Sequence, residues 1–326
     1  MTIVITGASG HIGACLTRTL LEQGRKVRAV IFEKSNSLSG LPIQTVSGDV
    51  RDLDSLRRAF TGAEVVYHLA AKIVLTEERE AEVFAINEGG PRNVCQAAKE
   101  CGVKKLIHFS SIHALDDRPH HIPVDEERPP SGGKEFPLYD RTKAAGEKIV
   151  REYVRDGLHA VILNPTGVIG PFDFEPSALG HVFLDLYHRR LPALVDGGFD
   201  FVDVRDVVNG AIAAETKGRP GERYLLSGQW AKTTELAEIA DSVTGKSPPR
   251  LVSPLAVARL SAPLAVVAAR LLKRPPLYTP ASIRALSANK NISHDKATRE
   301  LGYTARPLQD SIRDLYAWFQ QAGKLA

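Results

Sequence analysis

The chain opens on a β-branched apolar run, Thr2-Ile3-Val4-Ile5-Thr6. It breaks into Gly7-Ala8-Ser9-Gly10-His11-Ile12-Gly13 and then resumes as a second apolar run, Ala14-Cys15-Leu16-Thr17-Arg18-Thr19-Leu20-Leu21. This pattern predicts a strand, a glycine turn and a helix. Further apolar runs predict strands over 27–32, 64–70, 105–109 and 160–164, the third of these ending in Ser110-Ser111. Amphipathic stretches predict helices over 54–60, 78–101 and 139–156, the second with a break near Gly89-Gly90-Pro91. Alternation of this kind gives an α/β fold with a doubly wound parallel sheet, which binds ligands beyond the carboxyl ends of its strands. After Asn164-Pro165 the pattern loosens and Pro and Gly become frequent. The expected organisation is a dinucleotide-binding domain over 1–165 with return segments at about 201–228, where Tyr224–Leu226 rejoins the sheet. Residues 166–200 and 229–326 then form a smaller, mostly helical substrate region. The loop 114–137 is polar and rich in proline, and no internal repeat is present.

The glycine turn is the first piece of chemistry. Glycine turns the chain tightly, lets backbone approach a pyrophosphate and lets the helix sit close to the strand. The helix N-terminus adds unpaired N–H groups and a positive dipole end. Gly7, Ser9, Gly10, His11, Ile12 and Gly13 are therefore candidate dinucleotide contacts, at spacing G-x-x-G-x-x-G instead of the commoner G-x-G-x-x-G.

Composition narrows the class without naming a chemistry. The 326 residues are 43% apolar and 25% charged with a net charge of +4, and no basic block argues for nucleic acid. Cys15, Cys95 and Cys101 lack C-x-x-C spacing and read as reduced, buried thiols of a cytoplasmic protein with no signal peptide. Residues 255–272 are strongly apolar, but Arg259, Pro263 and Arg270 interrupt them, so no integral membrane segment is expected. One or two packed helices with a proline break, doubling as a lid over a greasy substrate, is the reading; contact with a membrane is the lesser alternative.

Tyr139-x-x-x-Lys143 places both side chains on one helical face. A nearby ammonium lowers a phenol's pKa from near 10, so the pair can exchange a proton with a carbonyl or carbinol oxygen. Ser111, at a strand end, can hydrogen-bond the same oxygen. No metal is expected: His120-His121 with Asp125-Glu126-Glu127 lacks ligand spacing and reads as a solvated loop. Lys72 reads as outward-pointing, with an acidic substrate group as its functional alternative. Asp203, Arg205 and Asp206 read as a helix cap with its ion pairs.

Together these segments resemble the extended short-chain dehydrogenase/reductase family of the epimerase/dehydratase superfamily, whose domain is of Rossmann type. The resemblance runs in order through Thr6–Gly13, Gly48-Asp49-Val50, His68-Leu69-Ala70-Ala71, Asn87 with Asn93, Ser110-Ser111, Tyr139-x-x-x-Lys143 and Asn164–Pro171. Segments near 190–193, 201–207, 223–228 and 296–303 resemble its dihydroflavonol 4-reductase-like branch. The resemblance implies that Ser111, Tyr139 and Lys143 are catalytic and that Lys143 also holds the nicotinamide ribose. It implies that Asp49 and Val50 meet adenine, that Leu69, Ala70 and Ala71 line the cofactor, that Pro165 and Val168 pack near the nicotinamide, and that Asn87 supports the site from a helix. The chain departs from the family at Gly89-Gly90-Pro91, and at Ile112-His113, which replaces the Asp-Glu of the sugar dehydratases and argues against dehydration. His113 reads as a loop histidine without a catalytic task.

Cofactor choice rests on residues 31–36. Glu33 could hold a ribose 2′-OH, but the family register puts the NAD-selecting acid at Ile31 and the NADP-selecting arginine at Phe32. Lys34, Ser35 and Asn36 could hold a 2′-phosphate, so NADP(H) is expected over NAD(H). The expected activity is interconversion of a ketone and a secondary alcohol on a bulky hydrophobic or polycyclic small molecule. A nucleotide-sugar 4-epimerase is the first alternative and a non-enzymatic dinucleotide-sensing regulator the second. A homodimer through helices 78–101 and 139–156 and a monomer are both arrangements that the family uses.

Overall fold

The apolar runs pair into one sheet. In the computed structural model, which describes every residue but Lys34, Leu75 and 272–277, β1 (Thr2–Thr6), β2 (Lys26–Ile31), β3 (Gln44–Ser47), β4 (Val65–His68), β5 (Lys105–Phe109) and β6 (Ala160–Pro165) lie parallel. The chain then forms β7 (Gly167–Ile169), β8 (Leu194–Val195) and β9 (Gly198–Asp203) outside this sheet before β10 (Arg223–Leu226) joins it beside β6. The order is β10-β6-β5-β4-β1-β2-β3. Strand order reverses between β1 and β4, and a crevice for a dinucleotide opens at such a reversal.

The central strands are covered on both faces. Ile3 and Ile5 pack under α1 (His11–Glu22), and Val4 packs on the opposite side with Leu56 and Phe60 of α2 (Leu53–Phe60). Burial on both faces is why these strands read as continuous apolar runs. The predicted break at Gly89-Gly90-Pro91 is absent. Instead, α3 (Glu80–Phe84) passes through one wider π-type turn, Ala85–Gly89, directly into α4 (Gly90–Glu100). Pro91 is tolerated there because it sits in the first turn of α4, where a missing N–H costs little. The carbonyl of Asn87 faces Gly146 of α5 (Leu138–Arg155), where any Cβ would lie 2.5 Å from that oxygen. Glycine at 146 thus lets α5 approach the widened turn.

The second half contains α6 (Ala178–Tyr187), α7 (Val204–Lys217) and α8 (Thr233–Thr244), with β11 (Gln229–Lys232) and β12 (Val252–Ser253). It is mostly helical, as expected, with two small sheets: β11, β9 and β7 make a three-stranded one, and β12 pairs β8. α7 packs on the main sheet beside α1. The apolar segment beyond residue 254 is one helix, α9 (Leu255–Leu271), which continues through Pro263. It is followed by α10 (Pro280–Ala285), α11 (Asp295–Leu301) and α12 (Leu308–Gln321). Phe183, Tyr316 and Phe319 of α6 and α12 anchor a separate core with Leu236 of α8. Cys15 and Cys95 are buried thiols, whereas Cys101 is half-buried just past α4. No helix among the described residues is long and apolar enough to cross a membrane.

Candidate active site

The parallel strands point their carboxyl ends to one edge, so the loops after β1, β3, β4, β5 and β6 converge there. Two glycines of the first loop are required by the fold itself. Gly7 has φ +71°, and a Cβ there would lie 2.6 Å from the Ala70 nitrogen; a Cβ on Gly13 would lie 2.2 Å from the Gly7 carbonyl oxygen. Gly10 is different. Its nearest neighbour would be that same oxygen at 3.5 Å, so it leaves open space at the start of α1. No side chain caps α1 at Gly10 and no acid occupies its first turn. Free amides, open space and the positive end of a helix suit a pyrophosphate, so the residues present fit a dinucleotide. Ser9 and His11 fasten the loop: the Ser9 carbonyl accepts from the Ser37 hydroxyl at 3.0 Å, and His11 Nε2 lies 2.9 Å from the Pro171 carbonyl. Ile12, one residue on, packs partly buried against the core on this face of the sheet.

The expected cofactor-lining segments are held by named contacts. The Leu69 amide donates to the Thr6 carbonyl at 3.0 Å. Asn87 clamps the chain beyond Ala70-Ala71: its Oδ1 accepts from the Lys72 amide at 2.7 Å and its Nδ2 donates to the Lys72 carbonyl at 2.8 Å. Asn93 donates to the Val50 carbonyl at 2.9 Å. The Asp49 carboxylate is gripped by Arg51 at 2.6 Å, which holds its pKa below the usual carboxylate range. Phe32 is exposed at the end of β2, with the Arg51 guanidinium 5.3 Å from its ring. Ser35 caps a short turn by accepting from the Ser37 amide at 3.2 Å, while Lys34 lies outside the described residues. Pro165 closes β6 and Val168 lies within β7.

Ser111 and Tyr139 come together, and Lys143 lies one turn on along α5. The buried Ser111 hydroxyl accepts from the His113 amide at 3.2 Å and stands close enough to the Tyr139 side chain to favour its phenolate. Burial pushes the Tyr139 phenol up to about 12, with Ser111 acting against that rise and the Asp140 charge adding to it. The expected lowering by Lys143 is not what this arrangement produces. The Lys143 ammonium donates to the Phe109 carbonyl at 2.8 Å, and burial brings its own pKa down to about 8 against the opposing pull of Glu147. Desolvation disfavours the charged form of each group, so it outweighs their spacing on the helix.

Sequence reasoning missed the support behind Ser111. Asn164 donates from Nδ2 to the Ser111 carbonyl at 2.8 Å and to Glu147 at 2.5 Å, and Glu147 pairs with Arg223 at 2.9 Å. Glu147 and Arg223 are both buried, linking α5, β6 and β10. One signal was available: Glu147 stands one turn beyond Lys143 on the same helix face. His113 is also closer to the chemistry than expected. Its ring stacks on Phe199 at 5.7 Å, meets Tyr139 edge-on at 5.8 Å and lies 3.4 Å from Asp140. Lys72 is tied to Glu82 at 2.5 Å. Asp203 caps α7 and binds Arg205 at 2.8 Å, and Arg306 binds Asp206 at 2.7 Å, tying the end of the chain to α7.

The family model of the NAD dependent epimerase/dehydratase family matches residues 3–227. Sterol demethylase protein B of Methylococcus capsulatus is 37% identical over the full length of both chains. A dihydroflavonol 4-reductase-like protein of Synechocystis sp. is 29% identical over 98% of this chain and 94% of that one. The crystal structure of gox2253 superposes with a TM-score of 0.87 at 31% identity, covering 100% of this chain and 99% of that one. The converging loops, the glycine cradle and these matches agree: the chain belongs to the NAD-dependent epimerase/dehydratase family of extended short-chain dehydrogenases/reductases, enzymes that act on CH–OH groups.

Proposed function

We propose that this protein interconverts a ketone and a secondary alcohol, with Ser111, Tyr139 and Lys143 as the catalytic residues. The reading rests on one observation: Ser111 and Tyr139 brought side by side, with a buried Lys143 one turn on, at the sheet edge where the glycine cradle opens. Gly7 to Gly13, Asp49, Val50, Leu69 to Ala71, Pro165 and Val168 would hold the cofactor. The nicotinamide, when bound, supplies or takes the hydride at the substrate carbon. Tyr139, protonated at neutral pH, donates its proton to the carbonyl oxygen, and Ser111 donates a hydrogen bond to the same atom. Lys143 offsets the charge left on the phenolate.

The substrate is bulky and hydrophobic, a reading supported by Phe199 beside His113 and by the sterol in the printed name of the Methylococcus relative. Residues 166–200 and 229–326 supply its side of the pocket. NADP(H) is the preferred cofactor, and the location is cytoplasmic. Tyr139→Phe should cut kcat by about 10²–10⁴-fold on a ketone panel followed by NADPH absorbance, with cofactor affinity unchanged in a fluorescence titration. Undiminished turnover would sink the assignment. Stoichiometric NAD surviving purification, without net NADPH oxidation, would instead favour the sugar 4-epimerase.

A further inference from the structure

The helix α9 is built inside out for a face in water. Its small residues Ala258 and Ala262 are buried against Ile283 of α10, with Leu255, Tyr278 and Leu286 around them. Its large residues point away: Leu260 is 81% exposed and Leu264 72%, with Val257 and Val267 beside them. These four recur at helical spacing along one stripe. Leu251 and Val252, just before the helix, extend the exposed apolar surface. A contiguous patch of this kind marks an interaction site, since single exposed leucines are scattered on ordinary surfaces.

Charge says what covers it. From residue 242 to residue 294 the sequence holds eight Lys and Arg and no Asp or Glu. This segment therefore carries +8, while the rest of the chain carries −4 of the overall +4. A second copy would bring two +8 segments together across the stripe. An anionic lipid surface attracts them, and its acyl boundary takes the leucines.

We infer that α9 docks the enzyme on an anionic membrane surface, lying in the headgroup boundary with Leu260 and Leu264 inserted. The docked helix is joined to the candidate active site. The Leu286 carbonyl, beside α9, accepts from the Gly198 amide at 2.9 Å, and the next residue, Phe199, stacks on His113. A lipid-dissolved substrate would thus be met at the protein's membrane face. Docking itself is read without turnover, so it stands or falls apart from the proposed reaction.

The full chain should float with phosphatidylglycerol-containing vesicles and not with pure phosphatidylcholine vesicles, and added salt should release it. Leu260→Asp/Leu264→Asp should lower vesicle partition by about tenfold or more, with an unchanged thermal melt. Arg250→Glu/Arg259→Glu, which leaves the leucines in place, should weaken binding to the anionic vesicles in the same direction. Failure to bind anionic vesicles would overturn the inference, as would equal binding by the leucine double variant. So would sedimentation velocity showing a wild-type dimer that Leu260→Asp/Leu264→Asp dissociates, because a second copy would then cover the stripe.

Discussion

At the scale of single residues, the glycine cradle separates structural need from ligand need. Gly7 and Gly13 have no room for a Cβ, whereas Gly10 has room and leaves it open toward solvent. The 2′-position of the ribose is decided by equally small features at the end of β2. Glu33 is exposed there, and Arg51 stands against Phe32 while gripping Asp49. If the site prefers NADPH, Arg51, beside Phe32 at the end of β2, supplies a cation there, and Glu33 contributes little. Arg51→Ala should then raise KM for NADPH by about tenfold, the worth of one charge-assisted hydrogen bond, and leave NADH nearly unaffected. Glu33→Ala should leave NADPH kinetics unchanged. Steady-state kinetics with both cofactors checks this, and a large loss confined to NAD in Glu33→Ala would reverse the preference.

At the scale of elements, α5 does more than present Tyr139 and Lys143. One turn further on, Glu147 pairs with Arg223 of β10 and accepts from Asn164 of β6, and Asn164 holds the Ser111 carbonyl. Three elements are thereby locked in the register that puts Ser111 beside Tyr139. Glu147 also holds the Lys143 pKa up against burial. If Lys143 acts in its charged form, as proposed, reductive kcat/KM should fall as pH rises through about 8. Removing the negative charge favours the neutral amine, so Glu147→Gln should move this alkaline limb to lower pH. It should also cost about 3–5 kcal/mol of stability, because the Arg223 guanidinium is left buried without its carboxylate. Arg223→Leu added to Glu147→Gln should recover part of the stability and leave the limb displaced. Denaturant melts and pH–rate profiles separate the two effects, and an unmoved limb would refute the role of Glu147.

At the scale of the whole molecule, the central strands carry a buried pair of rings. His68 of β4 and His108 of β5 lie side by side with centroids 5.2 Å apart. Burial holds His68 down to about 3 and takes His108 well below its ordinary range, with nearby Lys143 pushing both the same way. Both fold neutral, whereas in the unfolded chain they take up protons near 6.5. Their contribution is therefore fully present above about 6.5 and is lost as pH falls toward 3, at up to about 1.4 kcal/mol per pH unit for each ring. The ring nitrogens of His108 have no hydrogen-bond partner among the described residues. His108→Leu should therefore cost little at pH 7 and flatten the acid limb of stability, read by thermal melts from pH 7 to 4; an equally steep limb would count against it. The same sheet shows how far the sequence carries. Strands covered on both faces write continuous apolar runs, so β1, β2, β4, β5 and β6 were legible. So were the glycine turn, a local conformational demand, and the shared helical face of Tyr139 and Lys143. The edge strand β3 (Gln-Thr-Val-Ser) is half-polar, and β7, β8 and β12 are too short to show a period. The wide turn before α4 depends on Gly146 of another helix, and the Glu147–Arg223 pair joins positions that are distant in the chain. α9 shows the division most plainly: it is apolar over most of its surface, so periodicity orients it poorly. Which side faces outward was decided only when Ala258 and Ala262 packed onto α10. The sequence by itself determined the fold, the glycine loop and the spacing of the candidate catalytic groups, because these follow from near neighbours along the chain. Tertiary structure decided what holds Ser111 in place, how burial sets the proton affinities of Tyr139 and Lys143, and which face of α9 meets its surroundings. Those depend on desolvation and on contacts between distant segments, and no local pattern encodes either.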